Sequence, residues 1–454
     1  MSFSSFLTLL FLFAVIIILI IWILFHWRWL PILLLVILWY IPRQAVPNGL
    51  LEKFLFLRWL TVILIPAILL VQILKNGNKK KFVAPMIIIA PIFVLTFIYI
   101  FSGIVNNSKF PEIIGSWILY IRYPLLFLAF ANMDLSDQDY KNFIKIFLIL
   151  TVLQIPECLY RFFFLGISGD YISWTLGPWG AFDLGVYTIY VTCLVIAYDC
   201  VHGFKPLHIL FICLLFVLAV LGEIKAFMFT IPLVSLFIIF YYFKSAKVTR
   251  NIIVWGLPIF TVITVYYITQ VWGSIHTSSG NMLLNYLQLA TNIITNPSLL
   301  FNPQGLDYTA TRFLGSAFVW SYLANNWQML IFGAGPGSLL AGSFLGTSGK
   351  LFDLPNYLNQ ISVILGEIGI VGLIVYFWLL INFLRMINQY NKTVAESDLH
   401  FVSLTLVGMW VFYALLGPFY DLVWRHDSPN YVFYFLLSYI YHQTTKVKFI
   451  NSEN

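Results

Sequence analysis

Long apolar runs, each closed by a few polar residues, follow one another along the whole chain. A hydrocarbon core of roughly 30 Å takes about 20 helical residues, so most of these runs are long enough to cross a bilayer. The clearest extend from Ser4 to Phe25, Arg58 to Leu74, Pro85 to Ile104, Ile114 to Ala131, Asn142 to Gly166, Trp179 to Cys200, Pro206 to Leu221, Ala226 to Phe243, Asn251 to Trp272, Tyr357 to Leu384 and Phe401 to Tyr420. Two shorter ones, Trp29 to Ile41 and Ser428 to Tyr441, bring the expected total to twelve or thirteen helices. The first run lacks the basic start and the small-residue cleavage site of a signal peptide, and another apolar run follows at once, so it reads as a span.

Composition agrees with the pattern and removes other classes. Of 454 residues, 61% are hydrophobic, 19% aromatic and only 9% charged, with a mean hydropathy of +0.90. A soluble globule of ordinary makeup is excluded, and the expected fold is an all-α polytopic membrane protein. The net charge of +7 is spread over short loops and forms no stripe, so nucleic acid is not an expected partner. Cys158, Cys193, Cys200 and Cys213 lie in or at the ends of apolar runs without metal-ligand spacing, and read as packing residues. No internal repeat is evident. The chain therefore divides into residues 1–272, the first set of about ten spans; 273–356, one large loop; and 357–454, the last spans and a tail, all within a single membrane domain.

The cations orient these spans. Lys75 and Lys79 to Lys81 make the densest basic loop, which the positive-inside bias sets in the cytoplasm. Alternation then places Lys141, Lys145, Lys205, Lys244, Lys247, Arg250, Arg385, Lys392, Lys446 and Lys448 inside, with a cytoplasmic C-terminus. Lys109, Arg161, Lys225, Arg312, Lys350 and Arg425 fall outside. Arg43, Lys53 and Arg58 would also land outside if both early runs span, which leaves one of those runs re-entrant or interfacial and the N-terminal orientation open.

Interest concentrates on the loop 273–356. From Met282 to Leu300, Asn285, Gln288, Asn292 and Thr295 recur at three- and four-residue steps, the pattern of an apolar helix with one polar face lying in the outer leaflet. A second stretch, Arg312 to Leu330, carries Trp320 and Trp327, residues suited to the headgroup zone. It leads into Gly333-Ala-Gly-Pro-Gly-Ser338. No strand precedes that turn and Pro336 interrupts it, so a dinucleotide fingerprint is excluded. Two readings stay open: a backbone that approaches a substrate closely and presents bare N–H groups, or a plain tight turn.

Charges at membrane depth are expensive and so informative. Arg122 and Glu367 fall at similar depths, roughly 12 to 15 Å from the outer face at 1.5 Å per residue, and are expected to meet along a cavity open to that face. Glu157 and Arg161, spaced i, i+4, read as a local ion pair. Lys225 sits in the short outer connection Gly222-Glu-Ile-Lys225-Ala. No histidine pattern suits zinc, and Asp307 and Asp353 are the only carboxylates of the loop, so no metal and no cofactor are expected.

The order of these features resembles the bacterial O-antigen polymerase and O-antigen ligase family. The matching residues are Lys225 in a tight outer turn, Arg312 entering the loop, the turn Phe332-Gly-Ala-Gly-Pro-Gly-Ser338, and Asp353-Leu-Pro-Asn356-Tyr357-Leu leading into Leu365-Gly-Glu367-Ile-Gly369-Ile-Val-Gly372. They cover mainly Gly222 to Leu373. Family ligases carry His-Asn where this chain has Pro355-Asn356, which favours a polymerase, and Lys225 stands where arginine is usual, a point charge in place of a bidentate fork.

The resemblance implies a GT-C-like, metal-independent glycosyltransferase in the bacterial plasma membrane, with its active site facing outside. Its donor and acceptor would be undecaprenyl-pyrophosphate-linked oligosaccharides, and a flippase and a chain-length regulator are further partners that it allows. Breaking a sugar–pyrophosphate bond gathers negative charge on the leaving group, so positioned cations lower the barrier. Arg312, Lys225 and the deeper Arg122 are the expected catalytic cations, with Glu367 or Asp353 positioning or deprotonating the acceptor hydroxyl. Gly333, Gly335, Gly337, Ser338, Asp353, Asn356, Tyr357, Asn359, Arg161 and Arg425 are the expected substrate-binding residues. A ligase that transfers a finished glycan, and a flippase or transporter for lipid-linked sugars, remain the alternatives.

Overall fold

The computed structural model describes residues 27–40, 71, 85–173, 176, 180–222, 225–243, 315–316, 319–320, 322–339, 359–394, 399–417 and 427–453. Among them all regular structure is helical and no strand occurs. In chain order the α-helices are α1 Leu30–Tyr40, α2 Met86–Val105, α3 Phe110–Ala131, α4 Asp137–Leu165, α5 Ala181–His202, α6 Pro206–Leu221, α7 Lys225–Phe243, α8 Trp327–Phe332, α9 Gln360–Thr393, α10 His400–Val411 and α11 Asp427–Glu453. A π-helical turn, Phe412–Leu416, continues α10.

Five of these helices, α2, α3, α4, α5 and α9, are long and apolar enough to cross a membrane. α6 coincides with its apolar run end for end, whereas α9 ends at Thr393 and α11 at Glu453, well past the ends of theirs at Leu384 and Tyr441. Runs 4–25 and 251–272, run 58–74 apart from residue 71, and the amphipathic stretch 282–300 lie outside the described residues.

Local sequence explains where the helices start and stop. Ser136 caps α4 in a reciprocal box: its hydroxyl accepts from the Asp139 N–H at 3.3 Å, and the Asp139 carboxylate accepts from the Ser136 N–H at 2.8 Å. Gly166 ends α4 in the left-handed conformation. α2 and α3 form a hairpin across Asn106 to Lys109, closed by the Ser108 N–H on the Gly103 carbonyl at 2.9 Å. The Glu112 carboxylate satisfies the Lys109 N–H at 3.0 Å as α3 begins.

One end of the bundle gathers basic residues: Lys141 and Lys145 on the first turns of α4, Lys205 between α5 and α6, Arg385 and Lys392 late in α9, and Lys446 on α11. Here the helices are joined by rings. Tyr140 of α4 lies 4.9 Å from Phe435 and 4.8 Å from Tyr439 of α11. Phe130 of α3 meets Phe435 edge-on at 5.0 Å, Phe143 stacks obliquely on it at 4.0 Å, and Tyr390 of α9 reaches Tyr439 at 6.2 Å. Across the same end Tyr198 of α5 packs on Phe401 of α10 at 5.5 Å. Lipid is as apolar as leucine, so helices in a bilayer are held by close packing and hydrogen bonds rather than by hydrophobic exclusion. Interlocking rings supply the first of these here. Gly408 of α10 shows the same economy, since a Cβ there would lie 2.7 Å from Cys193 Sγ on α5.

The opposite end is built differently. The α2–α3 hairpin, α8 with the Gly-rich turn that follows it, and the first residues of α9 converge there, with a small separate apolar cluster of Val319, Leu323, Ala334, Leu339 and Leu365 beside them. α9 is not one helix. Gly369, with φ 68° and ψ −165°, breaks it into a buried segment 360–368 and a long segment from 370 onward. Asn359 caps the first segment, its side-chain Oδ1 accepting from Ser362 N–H at 2.8 Å and Ser362 Oγ at 2.6 Å.

Candidate functional site at the Gly-turn end

The Gly-rich turn leaves α8 at Gly333, whose positive φ of 78° stops the helix. Its geometry is a backbone-to-backbone fit. A Cβ on Gly333 would lie 2.3 Å from the Glu367 carbonyl carbon, and a Cβ on Gly369 would lie 2.2 Å from the Ile331 oxygen and 2.6 Å from the Gly333 nitrogen. The turn and the break in α9 therefore need glycine at both facing positions. Gly335 packs on Ser108 and Gly337 on Glu112, so the α2–α3 hairpin closes the third side.

The amides of the turn are largely spent inside the protein. Gly333 N–H donates to the Met329 carbonyl at 2.7 Å, Ala334 N–H to the Gly366 carbonyl at 2.6 Å, Gly335 N–H to the Glu367 carbonyl at 3.2 Å and Ser338 N–H to the Gly335 carbonyl at 3.1 Å. Pro336 has none. Of the two readings open from sequence, this geometry favours the tight, packed turn over a cradle of bare N–H groups, because four donors already have backbone acceptors. Ser338 itself is buried.

Glu367 is the centre of the arrangement. Its side chain is fully buried, and the carboxylate accepts from Ser116 Oγ of α3 at 2.5 Å and from the Tyr99 hydroxyl of α2 at 3.4 Å. Its backbone carbonyl accepts from Ser102 Oγ of α2 at 2.9 Å, and the same hydroxyl reaches the Phe332 carbonyl at 2.6 Å. Asn106 completes the lattice, its amide donating to the Ser102 carbonyl at 2.9 Å and to the Gly333 carbonyl at 3.1 Å. The break at Gly369 would orphan the carbonyls that end segment 360–368. The turn and Ser102 supply the missing donors.

Arg122 lies elsewhere. Glu367 docks at Ser116, six residues into α3 and about 9 Å along its axis, whereas Arg122 is twelve residues in, about 18 Å along. The depths taken from the sequence coincided because the runs and the helices start at different residues: α3 begins at Phe110, ahead of its apolar run, and α9 at Gln360, after the start of its own. Arg122 is buried, with its guanidinium carbon 4.7 Å from the centroid of the Tyr123 ring.

The remaining expected residues divide in the same way. Arg161 Nε meets Glu157 Oε1 at 3.2 Å, the pair its spacing indicates, and Arg161 Nη1 donates to the Tyr171 carbonyl at 3.2 Å. Asn359 is buried as a helix cap. Lys225 opens α7, but its side chain is outside the described residues, as are Arg312, Asp353, Asn356, Tyr357 and Arg425. Among the described residues no group of three or more His, Cys, Asp and Glu comes together. Sequence reasoning missed Ser102, Asn106, Ser116 and Tyr99. Their signal was available in Ser102 and Ser116, small hydroxyls inside apolar runs, where a polar group needs an internal partner. No family model matches the chain, and no curated protein matches its sequence.

Proposed function

We propose that the chain polymerises undecaprenyl-pyrophosphate-linked oligosaccharide repeat units for O-antigen, capsule or exopolysaccharide, working at the outer face of a bacterial plasma membrane. It does so as a metal-independent, GT-C-like glycosyltransferase of twelve or thirteen spans, with the Gly-turn end outside and the basic end in the cytoplasm. One observation carries the reading. The two motifs that most resemble the polymerase and ligase family, Phe332 to Ser338 and Leu365 to Gly369, meet backbone to backbone, at the end of the bundle opposite the basic residues.

The chemistry follows from the donor. An acceptor hydroxyl attacks the anomeric carbon, the sugar–oxygen bond to the pyrophosphate breaks, the hydroxyl proton passes to Asp353 or to water, and undecaprenyl pyrophosphate leaves with the negative charge. Because four of the turn's five N–H groups are occupied, neutralising that charge falls to side chains, Arg312 first and Lys225 second. Each cation accounts for a few kcal/mol of barrier, on the order of a hundredfold or more in rate. The energy is already in the donor, so no nucleotide is required.

The test is reconstitution. Purified protein in liposomes, given lipid-linked repeat units and nothing else, yields a ladder of lengthened products. Repeat units that stay at one length, with transfer only when a second acceptor is supplied, assign the chain to the ligases; movement of the lipid-linked sugar without any new glycosidic bond assigns it to the transporters. Arg312→Ala and Arg312→Lys both abolish the ladder if the planar guanidinium is used.

A further inference from the structure

Glu367 touches three chain segments at once. Its carboxylate takes hydroxyls from α2 and α3, and its backbone oxygen takes Ser102 of α2 and Gly335 of the turn. It lies two residues before the break, where α9 has lost the helical donors that would otherwise hold its last carbonyls. Its side chain is fully buried beside the turn. A carboxyl group at this depth is costly unless its partners are fixed, so partners and carboxyl hold each other in place.

We propose that Glu367 is a positioning residue: it fixes the broken segment of α9 against the Gly-rich turn, and Ser116 and Tyr99 act on the turn only through it. Hydrogen bonding, rather than charge, is what it contributes. The consequence for turnover rests on the polymerase reading above; the consequence for the turn itself does not.

The full chain in lipid nanodiscs separates the two. In hydrogen exchange, the peptide spanning Trp327 to Leu339 stays protected in Glu367→Gln, whose amide oxygen still accepts from Ser116 and Tyr99. In Glu367→Ala it exchanges about tenfold faster or more. A peptide from α11 is unchanged in both. Ser116→Ala gives a smaller increase in the same peptide, and is read in its own right if Glu367→Ala does not fold. Unchanged protection of the turn in Glu367→Ala and Ser116→Ala overturns the proposal, as does equal loss of protection in α11.

In the ladder assay, Glu367→Gln keeps kcat within about threefold, while Glu367→Ala lowers kcat on the order of a hundredfold with donor KM little changed. A Glu367→Gln enzyme as slow as Glu367→Ala, with a fully protected turn, overturns the proposal by making the charge the working part. Absence of any ladder from the unsubstituted protein removes the polymerase reading and leaves the exchange result standing.

Discussion

The two ends of the bundle solve one problem with different means. At the basic end, α3, α4, α9 and α11 interlock through Phe130, Tyr140, Phe143, Tyr390, Phe435 and Tyr439, large rings that meet edge-on or obliquely. At the Gly-turn end, contact is made by backbone against backbone, with Ser102, Asn106 and Ser116 supplying donors to carbonyls and to one carboxylate. Rings tolerate exchange for other bulky groups, since volume is what they provide. A backbone fit tolerates nothing, because the atoms in contact cannot rotate away. The first design suits a scaffold, and the second suits a place where geometry must be held to fractions of an ångström.

The sharpest way to break this contrast is to add one methyl group at the Gly-turn end. Gly369→Ala forces a left-handed backbone on alanine and drives its Cβ into the Ile331 carbonyl. Strain and overlap together are expected to cost about 4 kcal/mol. Gly333→Ala, facing it, costs a similar amount. Folded yield and thermal melting in detergent report the loss, and a Gly369→Ala protein that melts like the parent would refute the backbone fit.

At the basic end the corresponding change removes a ring. Phe435→Ala takes away contacts with Phe130, Tyr140 and Phe143 and is expected to cost about 3 kcal/mol, whereas Phe435→Leu costs about 1 kcal/mol because most of the volume remains. The separation between those two values is the useful quantity. If leucine is as damaging as alanine, ring geometry rather than volume holds this end, and the contrast narrows.

Single hydroxyls sharpen the comparison further. Ser102→Ala removes the one hydroxyl proton shared by two carbonyls, those of Phe332 and Glu367, and is expected to cost about 1 to 2 kcal/mol. At the other end, Ser438→Ala removes a hydroxyl that lies 3.3 Å from the Tyr140 hydroxyl and is expected to cost about half as much. Combining Ser102→Ala with Asn106→Ala should be non-additive, because both side chains hold the same stretch, Phe332 to Gly333.

What the sequence disclosed about these ends follows the same division. Helix positions at either end were legible, because hydropathy reports length directly: α6 coincides with its run and α2 is displaced from its own by a single residue. The Gly-rich turn was legible as a feature, yet its role was not. Glycine in a turn serves a ligand or a neighbouring backbone equally well, and only the fold shows that Gly333 lies against the backbone of Glu367. The break at Gly369 was invisible, since Ile-Gly-Ile-Val inside an apolar run reads as an ordinary helix until Gly333 is placed against it. Hydropathy also carries no register between helices, which is why Arg122 and Glu367 shared a depth on paper and are offset by about 9 Å along α3.

The smallest expected effect asks whether polarity alone distinguishes the Gly-turn end. Arg161 and Glu157 form an ion pair late in α4, far from the basic start of that helix, with their side chains 25% and 28% exposed. An exposed i, i+4 pair is screened by water and salt and must order two long side chains, so Arg161→Ala is expected to cost about 0.5 kcal/mol or less. Loss of the bond to the Tyr171 carbonyl adds little, because water reaches the site. Thermal melts at low and high salt check this: the difference from the parent should be small at low salt and vanish at high salt. A loss as large as that of Ser102→Ala, and insensitive to salt, would mean that polar contact as such stabilises this end. Burial of the donors around Glu367 would then no longer explain what sets the Gly-rich turn apart.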